Sequence, residues 1–157
     1  MTNNKTMYTH HILLILHLVA ATIWVGGHLV LAIGYLPKAL KHNDFSYIGN
    51  FEKTYEPIGM PSLLVLVITG ILMAYDYGVS FSTWLHFDFS IEKVVSLKLL
   101  CLLTSVCFAI SAQTRVLPQL RKGNIKKLPE MAVHIICVTL LGVTMVVLGS
   151  LVRIGGL

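Results

Sequence analysis

His10, His17 and His28 stand seven and eleven residues apart in a stretch from Thr6 to Pro37 that contains no Asp, Glu, Lys or Arg. At about 100° per residue those steps bring the three imidazoles to within about 20° of one another on a helix. Trp24 and Tyr35 continue the same stripe. An imidazole held in hydrocarbon is costly, so its default reading is functional and its partner belongs on a neighbouring helix. Outside this stretch the candidates are His134, Met145 eleven residues later on the same helical face, and Lys98. Two chemistries suit such a set. Opposed imidazoles can ligate the iron of a b-type haem lying in an apolar slot, and imidazole with thioether can hand copper along a path.

The elements that must position these groups are membrane helices. Of 157 residues, 55% are hydrophobic and 12% charged, and the mean hydropathy is +0.78, outside the range of ordinary soluble domains. Spans are predicted over about 9–37, 58–76, 93–117 and 129–152, reaching or approaching the roughly 20 apolar residues that cross a bilayer, with the first long enough to tilt or to extend beyond it. Because open sheets do not survive in lipid, the expected fold is all-α: a single domain forming an antiparallel four-helix transmembrane bundle. The segment 38–57 reads as a loop in which Asn43-Asp44 caps a short surface helix. The segment 76–93, rich in Phe and Trp, reads as an interfacial belt. No internal repeat stands out.

Charge placement sets the topology. Lys38, Lys41, Lys53, Arg115, Arg121, Lys122, Lys126 and Lys127 fall in the first and third connections, and Lys5, Lys93 and Arg153 fall on the other side. The positive-inside rule then puts both termini outside, so the net charge of +5 reports orientation and argues against a nucleic-acid partner. Lys5 ahead of an apolar run, with Val19-Ala20-Ala21, superficially suggests a cleaved leader, yet the run continues through Trp24 to Leu36 and is expected to stay as a span. Cys101, Cys107 and Cys137 show neither C-x-x-C nor C-x-x-C-H spacing. They are expected to be buried thiols, and c-type haem attachment is excluded.

Within the bundle, His17 and His28 are separated by about 16 Å along the first helix, which would suit two haems stacked across the bilayer. Antiparallel packing should bring His134 toward the depth of His28 and Met145 toward that of His17. His10 is a further candidate ligand. Gly26 and Gly27 would admit a ring or another backbone, and Ser105, Ala109 and Ala112 on the face of Lys98 leave room for a flat ligand. Lys98 is expected either to snorkel outward or to pair with a propionate or a substrate carboxylate. Glu52 and Glu56, at i, i+4 spacing, read as ordinary exposed charge, and His42 and His86 as surface residues.

The run His17-Leu-Val-Ala-Ala-Thr-Ile-Trp24-Val-Gly-Gly-His28, followed by Tyr35-Leu-Pro37, resembles the opening helix of the CopD-like copper-resistance membrane proteins. Ile68-Thr-Gly70-Ile-Leu and Leu97-Lys98-Leu extend the likeness over about residues 9–152. The resemblance implies a bacterial inner-membrane protein that moves or tolerates copper. The spacing of His17, Trp24, the Gly pair and Leu-Pro is also similar to the HemJ-type protoporphyrinogen oxidases, four-helix haem b binders. That pattern has Arg where this chain has Lys38, and lacks a histidine at the position of His28.

The expected function is redox: one haem b on His28 and His134, a second on His17, with Trp24, Gly27 and Lys98 completing the cofactor site. Electrons would be exchanged with a quinone or a redox protein. The alternatives are a copper relay through His10, His17, His28, His134 and Met145, and oxidase chemistry on a porphyrinogen. The methionines scatter over different faces while the histidines align, which favours haem. Self-association into a homo-oligomer stays open.

Overall fold

The computed structural model describes residues 2–80, 90–152 and 155. Helix α1 (Thr2–Val30) passes through one π-helical turn, Leu31–Tyr35, into α2 (Leu36–His42). Helix α3 covers Ser46–Asp76, and α4 (Ser90–Ser111) passes through a second π turn, Ala112–Val116, into α5 (Leu117–Arg121). A 3-10 turn, Ile125–Lys127, leads into α6 (Leu128–Val152). These make four candidate membrane spans, Met7–His42, Ser46–Asp76, Ser90–Arg121 and Ile125–Val152, and no strand occurs among the described residues. The chain is a multi-pass membrane protein whose outer surface is apolar, with Leu18, Ile33, Leu64, Leu100 and Leu140 all exposed.

Both π turns have the same cause. Pro37 and Pro118 lack an N–H and would press on the carbonyl four residues back. The chain relaxes by widening one turn, so that Leu36 and Leu117 donate to Leu31 O and Ala112 O, five residues back. Each span then stops in the same way. Asn43 and Gly123 take left-handed φ of 49° and 86°, and the next residue's N–H reaches back to Ala39 O and Gln119 O, both at 3.0 Å.

The segment 38–57 is not a loop. Its second half belongs to α3, which continues through Pro57 and Pro61 for 31 residues, about 46 Å and longer than the hydrocarbon core. Asp44 does act as a cap, since its carboxylate accepts Ser46 N–H at 2.8 Å and Ser46 Oγ–H at 2.7 Å. The helix it starts is a full span. Prolines survive here because tertiary contacts to α1 hold the helix.

Helix α1 packs along α3 and α4 along α6, and the two hairpins meet where α1 crosses α6. Sequence neighbours α3 and α4 hardly touch, so the bundle is open along one side. Its best-packed core lies at the end carrying the basic connections, around Leu36, Ala39, Ile48, Val116, Leu117, Leu120 and Leu128. The three cysteines are free thiols, and Cys107 is exposed on the outer surface, against the expected burial. His86 and half of the aromatic segment 76–93, residues 81–89, lie outside the described residues.

Candidate functional site: a two-histidine cavity open between α3 and α4

His28 and His134 line one cavity of about 180 Å³ in the basic half of the bundle. Trp24, Phe51, Tyr55 and Phe108 supply its aromatic walls; Met60, Leu63, Leu102, Ser105, Val106 and Ala109 flank the side on which α3 and α4 part. Ala112 also lines it, so the small stripe on α4 does face the open space.

Hydrogen-bond bookkeeping fixes the tautomers. His28 Nδ1 lies 2.8 Å from Trp24 O, and His134 Nδ1 lies 2.8 Å from Glu130 O. A carbonyl only accepts, so in the neutral rings Nδ1 carries the proton and Nε2 the lone pair. His134 Nε2 accepts from Ser111 Oγ at 3.1 Å. Each histidine donates to its own helix four residues back, the arrangement by which metal-binding imidazoles are oriented and made more basic. The Trp24 ring lies 4.7 Å from His28, and Phe108 stands edge-on to His134 at 5.5 Å.

The two histidines are not level. Thr139 Oγ1, whose proton goes to Ile135 O at 2.7 Å, lies 3.3 Å from His28 O, which puts those residues at one depth. His134 stands five residues before Thr139 and so about 7.5 Å nearer the basic end. The ring that Gly27 admits is that of Tyr55, which fills the position a Cβ there would take. The Tyr55 hydroxyl donates to Ile23 O and Trp24 O, at 3.1 and 3.0 Å. Trp24 O thus receives both Tyr55 and His28, joining the α1–α3 contact to the orientation of the imidazole.

His17 is placed elsewhere, in the other half of the bundle. The single proton of Thr69 Oγ1 goes to Val65 O at 2.6 Å, so His17 Nδ1–H is the donor to Thr69 Oγ1 at 2.8 Å. The absent side chain of Gly70 makes room, since a Cβ there would stand 3.3 Å from His17 Cε1. Lys98 Nζ would lie 3.4 Å from a Cβ on Gly149, and Lys98 is not among the cavity walls. His10 pairs with Asp76 at 2.8 Å and stands edge-on to Tyr77, fastening the end of the α1–α3 hairpin. Met145 packs against Trp24, Val25 and Val138. His42 is exposed and stacks on Tyr47. Among the described residues no three His, Cys, Asp or Glu side chains converge as a metal-binding group.

Glu52 departs from the sequence reading. It is not a solvated surface charge: it lines the cavity, with Oε1 accepting from Gln113 Nε2 at 3.1 Å and Oε2 buried without a partner. Glu56 lines the same end. The i, i+4 pair carries the signal, and assigning 38–57 to a loop hides it. Tyr55 escapes sequence reasoning for the same cause, although Gly59 one turn later marks where its ring lies. Comparison with protein families, with curated proteins and with solved structures finds no match for this chain.

Proposed function

We propose that this chain is a membrane redox protein in which His28 and His134 ligate the iron of a haem b. One observation carries the reading: two intramembrane imidazoles face a common aromatic cavity, each with its Nδ1 proton committed to its own helix. The residues fit the group only in part, because the offset of His134 from the depth of His28 has to close before both rings reach one iron. A macrocycle brings four of the six ligands to its iron, so two histidines suffice where no third ligand converges. Ser111 releases His134 Nε2 only by turning its side chain about χ1, because its Oγ lies 3.1 Å away on the lone-pair side. The enclosed volume is small, and the parting of α3 from α4 lets a larger ring extend toward lipid. Bound there, the haem would supply one-electron chemistry.

In this reading His17, with its Thr69 bond, is the site for a second haem, and Lys98 has no part in the first because it lies outside the walls. The electron partner is a quinone or a redox protein, the home a bacterial inner membrane with both termini outside, and the kinship CopD-like. The copper relay finds less support, because Met145 is committed to the Trp24 cluster.

The test is the absorption spectrum of detergent-purified protein. A reducible Soret band with a sharp alpha band should appear, and His28→Ala and His134→Ala should each lower or broaden it, the haem at His17 keeping its share, while His10→Ala leaves it intact. A colourless preparation that takes up no added haem would defeat the proposal. Stoichiometric copper in that preparation would favour the copper reading.

A further inference from the structure

Helix α3 lines the cavity with two adjacent rows, Phe51 with Tyr55 and Glu52 with Glu56. The i, i+4 step keeps the members of each row on one face. The Phe51 and Tyr55 rings lie nearly parallel, with centroids 5.3 Å apart. Beside them Glu52 Oε1 accepts from Gln113, and Oε2 is the one buried side-chain oxygen or nitrogen among the described residues that lacks a hydrogen-bond partner. A buried carboxylate oxygen left unpaired is costly, the more so when it carries charge, so the site calls for a donor. The charged groups whose fields reach Glu52 are Arg121 on α5 and Glu56. Two carboxylates against one guanidinium leave room for one further positive charge.

We propose that this cavity binds a protonated organic amine whose apolar body is about one ring in size and which enters from lipid between α3 and α4. Three features select that class. The ammonium N–H supplies the donor that Glu52 Oε2 lacks, and its charge is the one the Glu52, Glu56 and Arg121 set leaves uncompensated. Aromatic faces attract a cation, and Phe51 and Tyr55 line the wall next to the carboxylate. The enclosed space of about 180 Å³ also matches a single ring, since an apolar cavity of about 150 Å³ takes up benzene. A longer apolar tail would pass out between α3 and α4, which hardly touch. A hard metal ion draws about six oxygens or more, and the aromatic lining offers it none. A neutral molecule of the same shape brings no charge to Oε2. The inference stands apart from the haem reading, since it uses neither imidazole as an iron ligand. The two occupants would compete for one space, and each has its own test.

The experiment is equilibrium dialysis of the full-length protein in mild detergent, near neutral pH, against radiolabelled benzylamine, with benzyl alcohol as the neutral probe and micelles alone as the blank. Benzylamine should bind saturably, and benzyl alcohol at least about tenfold more weakly, because a buried charge pair contributes that much or more. Glu52→Gln should weaken benzylamine at least about tenfold while leaving benzyl alcohol unchanged. Phe51→Leu, which removes a ring face, should weaken benzylamine about threefold. Ala109→Leu, which narrows the space at the opening, should weaken both probes. If Glu52→Gln does not fold, the difference between the two probes on the parent protein still tests the charge. Absence of saturable benzylamine binding, equal affinities for the two probes, or an unchanged benzylamine affinity in Glu52→Gln overturns the inference.

Discussion

Gly27→Ala tests whether Tyr55 is the clamp between the first two spans. The new methyl would enter the volume of the Tyr55 ring. The ring has nowhere to go, because on its other side the Cβ position of Gly59 is already 2.6 Å from Tyr55 Cε1 and 2.7 Å from Cζ. Overpacking of this kind costs roughly 1–3 kcal/mol. Displacing the ring also loses an interhelical hydrogen bond worth about 0.6 kcal/mol in a membrane, so the expected cost is about 2–3 kcal/mol. For a chain of this size that is a drop in Tm of about 4–12 °C. The decisive measurement is a double-mutant cycle by thermal circular dichroism in mild detergent. In a Tyr55→Ala background the methyl enters vacated space, and Gly27→Ala should then cost less than about 0.5 kcal/mol. The same penalty in both backgrounds would show that the glycine serves something other than the Tyr55 ring.

Three further outcomes are expected. Ser105→Leu, at a buried residue whose hydroxyl bonds only its own helix at Cys101 O, 2.9 Å, should fill part of the cavity, raise Tm and cut the Soret amplitude; a lower Tm would mean the space is not there. Thr69→Val should cost about 1 kcal/mol by removing the hydroxyl acceptor of His17 Nδ1–H while the Leu66 carbonyl stays in reach, whereas Thr69→Ser should melt near the parent; a Val variant as stable as the parent refutes a stabilising Thr69 bond. Asp44, fully exposed, has its carboxyl held below the usual carboxylate value by its bonds to Ser46. Its folded pKa is depressed, so its contribution is present above the unfolded value of about 3.9 and fades as pH falls through the folded pKa. The Tm gap between Asp44→Ala and the parent should therefore close on acidification below about pH 4, and a gap independent of pH would sink the capping role.

The four spans, their antiparallel order and the inward placement of His28, Trp24 and the Ser105, Ala109, Ala112 stripe are legible in the sequence because each rests on a local period: apolar length for a span, 100° steps for a face. What escapes depends on pairings between helices that no local period records. Pro57 ends the segment read as a loop, yet α3 runs through it and through Pro61 because Tyr55 ties the helix to α1. With that segment read as a loop, Glu52 becomes a surface charge and the orphan oxygen of the cavity is invisible. Antiparallel order alone gives His134 the depth of His28, and the offset is seen in the contact of Thr139 with His28 O, at a residue with no special signal in the sequence.

The opening between α3 and α4 follows from a near-repeat that the side chains break. Both hairpins begin with a span that has a π turn before Leu-Pro and a left-handed stop. Counting back from those turns, Trp24 stands seven residues before Leu31 and Ser105 seven before Ala112, while His28 and Ala109 each stand three before. A two-fold arrangement of the hairpins would make the α1–α6 and α4–α3 seams equivalent. On the first, Trp24 reaches Gly142, where a Cβ would meet its Cζ3 at 3.3 Å, and Val25 fills in beside it. On the second, Ser105 and Ala109 are too short to span the same gap, and α3 and α4 stay apart. Large side chains thus close one of two equivalent seams and small ones leave the other open. The wall opposite the opening holds His28. An unfilled seam forfeits little dispersion energy in a bilayer, where lipid tails pack against its lining instead, so the gap can persist without a compensating partner in the chain.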